Sequence, residues 1–250
     1  MMKNAFRNIT VMVLCLAAGV LNAGAVNYSN ETLNYEVVYH WGVIWKHAAD
    51  ASLTIRKQGN GYYSQLVGKT RSWADKVYPT RDTLKCTMNA SLKPLKYEKL
   101  THEKSYYARD VVNFSYNGGN TSAACTRYRT KETQKANLST SGQAYDMVSV
   151  FYMLRGLDFP GMTKGKTVTT VIFSGKKKET LTIHFMGKEN VKMRDGSARE
   201  AYRVTFKFTQ EGGKKSSDNL EAWISTDAQR IPLVLVGKLP VGEVKCYYKG

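Results

Sequence analysis

Between residues 201 and 208 the chain alternates with period two. Tyr202, Val204, Phe206 and Phe208 are apolar, and Ala201, Arg203, Thr205 and Lys207 stand between them. A helix cannot place such residues on one face, whereas a half-buried strand does so at every second position. The same period recurs in Leu33, Tyr35, Val37 and Tyr39, in Ala51, Leu53 and Ile55, and in Leu84, Cys86, Met88 and Ala90. It returns in Val112, Phe114 and Tyr116, in Leu181, Ile183 and Phe185, and in Val244, Cys246 and Tyr248. Between these runs lie turn signals: Gly59-Asn60-Gly61, Asn117-Gly118-Gly119-Asn120 and Asp195-Gly196. Residues 220–237 read as strand, turn, strand, with Asp227 placed to bond its own backbone two residues on and Pro232 opening the second strand. Residues 121–138, rich in Thr, Arg and Lys, read as an exposed strand pair or an edge.

The period changes once. In 143–155 the apolar residues Ala144, Met147, Val148, Phe151 and Leu154 fall on one helical face, with Ser141 as a candidate cap and Gly156 as a stop. Tyr145, Val150, Tyr152 and Met153 make the other face apolar as well, so the helix should be buried. A large sheet must curl or close. The expected fold is therefore mainly β: a large curved antiparallel sheet or partial barrel with one buried helix.

Residues 1–25 read as a secretory signal peptide: Lys3 and Arg7 without an acid, an apolar run over 9–21, and Ala23-Gly24-Ala25 as the cleavage pattern. The run is shorter than the roughly 20 residues a spanning helix needs. Residues 26–250 are then one β-rich domain, exported and expected in the periplasm, with no transmembrane span. The formal net charge of the whole chain is +17, from 37 basic and 20 acidic residues. Such a balance attracts anionic surfaces. In an exported protein that points away from nucleic acid and either towards lipid or another anionic or amphiphilic envelope component, with peripheral membrane contact, or to a solvated basic surface that only aids solubility. The lysine-rich hairpin tips at 176–178 and 214–215 either fit that contact or are ordinarily solvated loops. A monomer is expected. Three cysteines follow the signal segment, Cys86, Cys125 and Cys246, so at most one internal disulfide can form. Their spacing does not decide whether any pair does, and buried small hydrophobes are the simplest reading of all three.

No catalytic constellation stands out. His40, His47, His102 and His184 fall in separate segments without metal-ligand spacing, which gives no metal site and no cofactor. The carboxylates Asp75, Asp82, Asp110, Asp146, Asp158 and Asp227 could supply an acid–base pair for a glycan hydrolase only if two of them met in a cleft. Turn formation and ion pairing account for them more simply. The aromatic residues are numerous, with 16 Tyr and 4 Trp. That is more than one small core needs, so a groove between sheet and helix is the default binding site. Its candidate lining is Trp41, Trp45, Trp73, Tyr145, Phe151, Tyr152 and Trp223.

The segments carry a resemblance in their order. Leu33-Asn34-Tyr35-Glu36-Val37 leads to Arg71-Ser72-Trp73-Ala74-Asp75, Thr80-Arg81-Asp82 and Pro94-Leu95-Lys96-Tyr97. Asp146-Met147-Val148 and Ala222-Trp223-Ile224-Ser225-Thr226-Asp227 follow, ending at Pro232-Leu233. The series resembles an uncharacterised exported family of Gram-negative bacteria known only as a domain of unknown function. The hairpin from Trp223 to Leu233 has a distant likeness to periplasmic lipoprotein-carrier half-barrels, which implies a curved sheet holding acyl chains. The leading expectation is a non-enzymatic envelope protein that binds an apolar or amphiphilic ligand such as a lipid. The alternative is an envelope scaffold or protein-interaction module, with a glycan hydrolase third.

Overall fold

The structure is a computed structural model that describes Tyr28, residues 30–211 and residues 215–250, with backbone alone for 215–219. The signal segment 1–25, its cleavage pattern and Lys214 lie outside the described residues, as does the side chain of Lys215.

Fifteen strands form one sheet. The first five are β1 (Asn30–Trp41), β2 (Ile44–Gln58), β3 (Gly61–Thr70), β4 (Arg81–Met88) and β5 (Pro94–Glu103). Next come β6 (Tyr106–Asn117), β7 (Asn120–Arg129), β8 (Thr133–Ser141), β9 (Ala144–Tyr145) and β10 (Thr167–Ser174). The last five are β11 (Lys177–Lys192), β12 (Ala198–Gln210), β13 (Lys215–Ser225), β14 (Pro232–Lys238) and β15 (Glu243–Tyr248). Their order across the sheet is β8-β7-β6-β5-β4-β3-β2-β1-β15-β14-β13-β12-β11-β10-β9. Every neighbouring pair is antiparallel except β9 with β10.

That order forces closure. The two edge strands, β8 and β9, are consecutive in the chain and only Gly142 and Gln143 separate them. Three Cα steps span at most about 11 Å, so the sheet must bend round until its edges nearly meet. The seam is stitched where they do. Thr121 Oγ1 donates to the Gly142 carbonyl at 2.7 Å and accepts from the Ala144 amide at 3.3 Å. Phe114 of β6 stacks on Phe173 of β10 with centroids 5.9 Å apart. The result is a nearly closed, barrel-like sheet, the curved antiparallel architecture that the alternation predicts.

The inward-facing residues of this sheet form the main core together with the segment that follows β9. Helix α1 (Ser72–Asp75) is a single turn between β3 and β4 that buries Ala74 against the main core. Helix α2 (Ser149–Arg155) and a 3-10 turn, Phe159–Gly161, belong to the filling segment. The helix starts later than the sequence predicts for 143–155. Ala144-Tyr145 pairs with Val171 and Ile172 instead, and the cap is Asp146 rather than Ser141. One Asp146 oxygen accepts from the Val148 and Ser149 amides at 2.7 and 3.0 Å. The other accepts from Ser149 Oγ at 2.8 Å and from the Cys86 thiol at 2.9 Å. Burial raises the Asp146 pKa, and these hydrogen bonds oppose that rise.

Val150, Phe151, Tyr152 and Leu154 are all buried, as expected of a helix enclosed on every side. Each such side chain contributes about 1.5–3 kcal/mol on leaving water. Tyr152 Oη meets Ser64 Oγ of β3 at 2.7 Å, and Tyr28 Oη donates to the Tyr152 carbonyl at 3.4 Å. At the far end of the helix Arg155, with 0% of its side chain exposed, makes a bidentate pair with Glu31 of β1 at 2.5 and 2.8 Å. It also donates twice to the Gln229 carbonyl, at 2.8 and 3.1 Å, and lies over the Tyr28 ring. Gln229 belongs to the β13–β14 turn. There Asp227 Oδ1 accepts from the Gln229 amide at 2.8 Å, the self-bonded turn foreseen for this aspartate.

The three cysteines are free and buried. Burial pushes the thiols of Cys125 and Cys246 up to about 11 and about 12, and also raises that of Cys86 well above its ordinary value.

Three outcomes follow from this interior. Arg155→Ala leaves the Glu31 carboxylate and the Gln229 carbonyl without their partner and should cost about 3–5 kcal/mol, measured as a fall in the urea midpoint; an unchanged midpoint would remove the pair from the fold's support. Asp227→Ala should lower the melting temperature by loss of the turn and leave any bound ligand in place; loss of ligand at constant stability would show the turn to be functional. In a chain of residues 26–250, a thiol reagent should label none of the three cysteines at neutral pH and all three in denaturant; rapid labelling in the folded state would contradict their enclosure.

Candidate functional site

The sequence-predicted binding residues divide between two sides of the sheet. Phe151 and Tyr152 are packed inside the barrel at 5% and 1% exposure, and Tyr145 lies half-buried beside them in β9. Burial pushes the Tyr145 hydroxyl up to about 12. These three belong to the core. Trp73 is half-buried at the end of the barrel, its indole donating to the His47 carbonyl at 2.7 Å. Trp41 is exposed at the β1–β2 hairpin tip. Trp45 and Trp223, far apart in the chain, come together on the outer face, where they border one groove of about 590 Å³.

A register change builds this groove. In β11 the residues Leu181, Ile183 and Phe185 point into the barrel. The pairing with β12 then shifts between Phe185 and Gly187, which leaves Met186 as the extra residue. One added residue exchanges the two faces of everything beyond it. Gly187 has φ of 101°, a conformation that suits glycine. After the bulge, odd-numbered residues face outward: Glu189 stands opposite Ala201 and Val191 opposite Arg199. The hairpin end therefore lays Val191 and Met193 against the outer face of the sheet. They form a second apolar cluster there with Val38, Leu233, Val234, Val236 and Tyr247. Arg194 holds the hairpin down through Glu36 of β1 at 2.9 Å, and Asp195 shapes its tip by accepting from the Ser197 amide.

The groove has an apolar floor and a charged rim. Trp223 donates its indole N–H to Glu189 at 2.9 Å and lies under the Arg203 guanidinium, which pairs with Glu221 at 2.7 Å. Trp45 stacks on His40 with centroids 3.7 Å apart and has Lys245 Nζ 5.0 Å above it. His40 Nδ1 and Lys245 Nζ both meet Glu243, at 2.8 and 2.9 Å. Burial would raise the Glu243 pKa, but these two partners outweigh it and hold the carboxyl below its usual range. Lys192 and Arg194 add positive charge to the rim, and Asp195 adds negative charge. Trp223 is thus held by its indole N–H and Trp45 by its ring face, and both stay partly exposed. Such a surface can cover an apolar body and meet a polar head, and its volume lies in the range of small-molecule sites. A second, smaller pocket of about 220 Å³ sits at the seam among Lys93, Tyr116, Asn120 and Gln143. Its lining is mostly polar and glycine.

The carboxylates weighed for acid–base work are otherwise engaged. Asp75 holds Arg81 at 2.6 Å, and that pair draws its pKa down to about 2. Asp110 binds Arg127 and Arg129, Asp82 accepts from the His102 amide, and Asp158 caps the 3-10 turn. Asp146 and Asp227 cap a helix and a turn, as described above. Among the described residues no group of three or more His, Cys, Asp or Glu is placed to hold a metal ion.

The sequence reading missed the groove floor. A signal was present in Leu233-Val234-Leu235-Val236, an unbroken apolar run, which marks a strand covered on both faces.

Among solved structures, a β-barrel-like protein of domain of unknown function DUF1849 from Brucella abortus is similar with a TM-score of 0.58. Identity is 12%, covering 90% of this chain and 98% of that one, so the likeness is one of fold alone. No curated protein matches the sequence. The profile of a family of proteins of unknown function, DUF3108, matches residues 34–249, nearly the whole of the sheet just described, and the chain belongs to that family.

Proposed function

We propose that this is a non-enzymatic protein of the cell envelope that binds an apolar or amphiphilic envelope molecule, a lipid first among these, in the outer groove between Trp45 and Trp223. The observation that carries the reading is the groove itself: an apolar floor outside the main core, two partly open indoles and a rim of both signs. Export rests on the signal-like segment at 1–25, and affinity for anionic headgroups rests on the positive charge of the chain. The structural roles of the six carboxylates support the non-enzymatic reading. The inside of the barrel, where a carrier would hold an acyl chain, is occupied by α2 and its aromatic side chains. The ligand is therefore assigned to the outside. The scaffold alternative gains from that same filled interior, and it predicts a protein partner in place of a small ligand.

Native mass spectrometry of the protein purified from envelope extracts tests the choice. A co-purifying amphiphile is expected, and Trp223→Ala should reduce its occupancy about tenfold, the effect of losing roughly 1.4 kcal/mol of ring contact. Circular dichroism should show the variant folded. An adduct retained in full by Trp223→Ala, or a co-purifying protein with no small adduct, would overturn the groove as a ligand site.

A further inference from the structure

In an antiparallel sheet alternate turns lie along the same edge. The β1–β2, β5–β6, β7–β8 and β14–β15 connections therefore share one end of the barrel, along with the segment between β3 and β4. Among the described residues, nine large apolar side chains are exposed, and eight of them are at this end: Trp41, Val43, Ile44, Trp45, Tyr106, Tyr107, Tyr128 and Val241. Leu95, at the start of β5, is the exception.

The concentration is greatest at the β1–β2 tip. Trp41, Val43 and Ile44 are 52%, 96% and 39% exposed, with Gly42 alone between the first two. The neighbouring β14–β15 turn is bound to it. Tyr39 Oη donates to the Val241 carbonyl at 3.1 Å, and a Cβ on Gly242 would lie 2.3 Å from the His40 carbonyl oxygen. The two tips thus form one platform, with Val241 beside the β1–β2 turn. Two exposed lysines adjoin it, Lys46 after the β1–β2 turn and Lys238 before the β14–β15 turn, and Lys76, Lys104 and Lys131 are exposed on other connections at the same end. Among the described residues the exposed carboxylates on the same edge are Glu132 and Glu211, and Lys178 pairs with the second at 3.3 Å.

Val43 touches water on nearly all of its surface, so it contributes little to folding, and a cluster of this kind marks an interaction surface. Two features select the partner. Tryptophan and tyrosine at the margin of an aliphatic tip match the preference of these rings for the bilayer interface. Lysines beside that tip and along the same end of the barrel complement an anionic headgroup layer and can extend to it while the apolar side chains enter. The geometry points to a membrane-docking edge: the β1–β2 and β14–β15 tips insert into the interface of an anionic bilayer, and the nearby lysines hold the protein on the surface. This inference does not need the outer groove to be occupied.

A chain of residues 26–250 contains every strand and helix described and omits the apolar run 9–21, which would itself enter lipid. It should co-sediment with phosphatidylglycerol–phosphatidylethanolamine vesicles, more weakly in high salt, and with a blue shift of tryptophan emission. Phosphatidylcholine vesicles should bind it far less. Val43→Asp changes a side chain that packs on nothing, so the melting temperature should stay put while vesicle affinity falls about tenfold or more and the emission shift disappears. Lys46→Glu with Lys238→Glu should weaken binding to the anionic vesicles alone. Groove occupancy by native mass spectrometry should be unaffected in Val43→Asp, which separates this inference from the ligand site. Vesicle affinity unchanged by Val43→Asp, or absence of vesicle binding by the unmutated protein, would overturn it. A co-purifying protein released by Val43→Asp, without vesicle binding, would assign the edge to a protein partner instead.

Discussion

The two-residue link between β8 and β9 governs this structure. A meander of fifteen strands could lie as an open twisted sheet, but here its two ends are joined by Gly142-Gln143. Closure follows from chain connectivity before any side chain is considered. It also disposes of the edges. An exposed edge strand invites pairing with another chain, and on one side of the seam the edge is only two residues long. Closure in turn creates an interior that the inward-facing side chains of the fifteen strands do not fill alone, and the chain places its next segment, 146–161, there.

That segment is fixed at both ends by charge. Asp146 satisfies the first amides of α2 and takes the Cys86 thiol from the wall, while Arg155 takes Glu31 and the Gln229 carbonyl at the other end. Apolar packing inside a barrel is indifferent to rotation or sliding of the helix. A buried arginine is not, because any displacement leaves a guanidinium or a carboxylate unpaired in a low-dielectric setting. The apolar contacts supply most of the stabilisation and the two charged ends select one position. The same tethering links β1, the helix and the β13–β14 turn, which are distant in the sequence, so the late hairpin that marks the family in sequence is also where the filling segment is locked.

How much of this was legible depended on whether the information was local. Strand periodicity and turn chemistry are local, so the alternation at Tyr202 to Phe208, the Asp195-Gly196 tip and the self-bonded Asp227 read correctly. The helix was overextended because Ala144, Met147 and Val148 continue a helical spacing by coincidence. Ala144-Tyr145 is drawn into the sheet by β10, a partner that the segment's own sequence does not reveal. The groove required two facts of different kinds. One was written plainly in β14, whose run of four apolar residues has no solvent face. The other, the bulge at Met186, rests on register against β12 and left no mark beyond a glycine in a strand. Bringing Trp45 to Trp223 needed the pairing of β1 with β15, since the chain between them is most of the molecule. Tyr145, Phe151 and Tyr152 were grouped with them on aromatic character alone, which does not distinguish a core from a binding surface.

A filled barrel moves function outward, and the sequence is spent accordingly. Had β11 continued without its bulge, Val191 and Met193 would have faced the same side as Phe185, towards the interior. The extra residue turns them out and makes a second apolar layer on a face that antiparallel sheets usually leave to solvent. The β1–β2 tip follows the same logic further, because Val43 has no protein partner at all. Apolar groups that add little to folding lower solubility unless something else covers them. Surplus apolar surface in this chain is therefore concentrated on the outer groove and one barrel end, the two places that the interior does not explain.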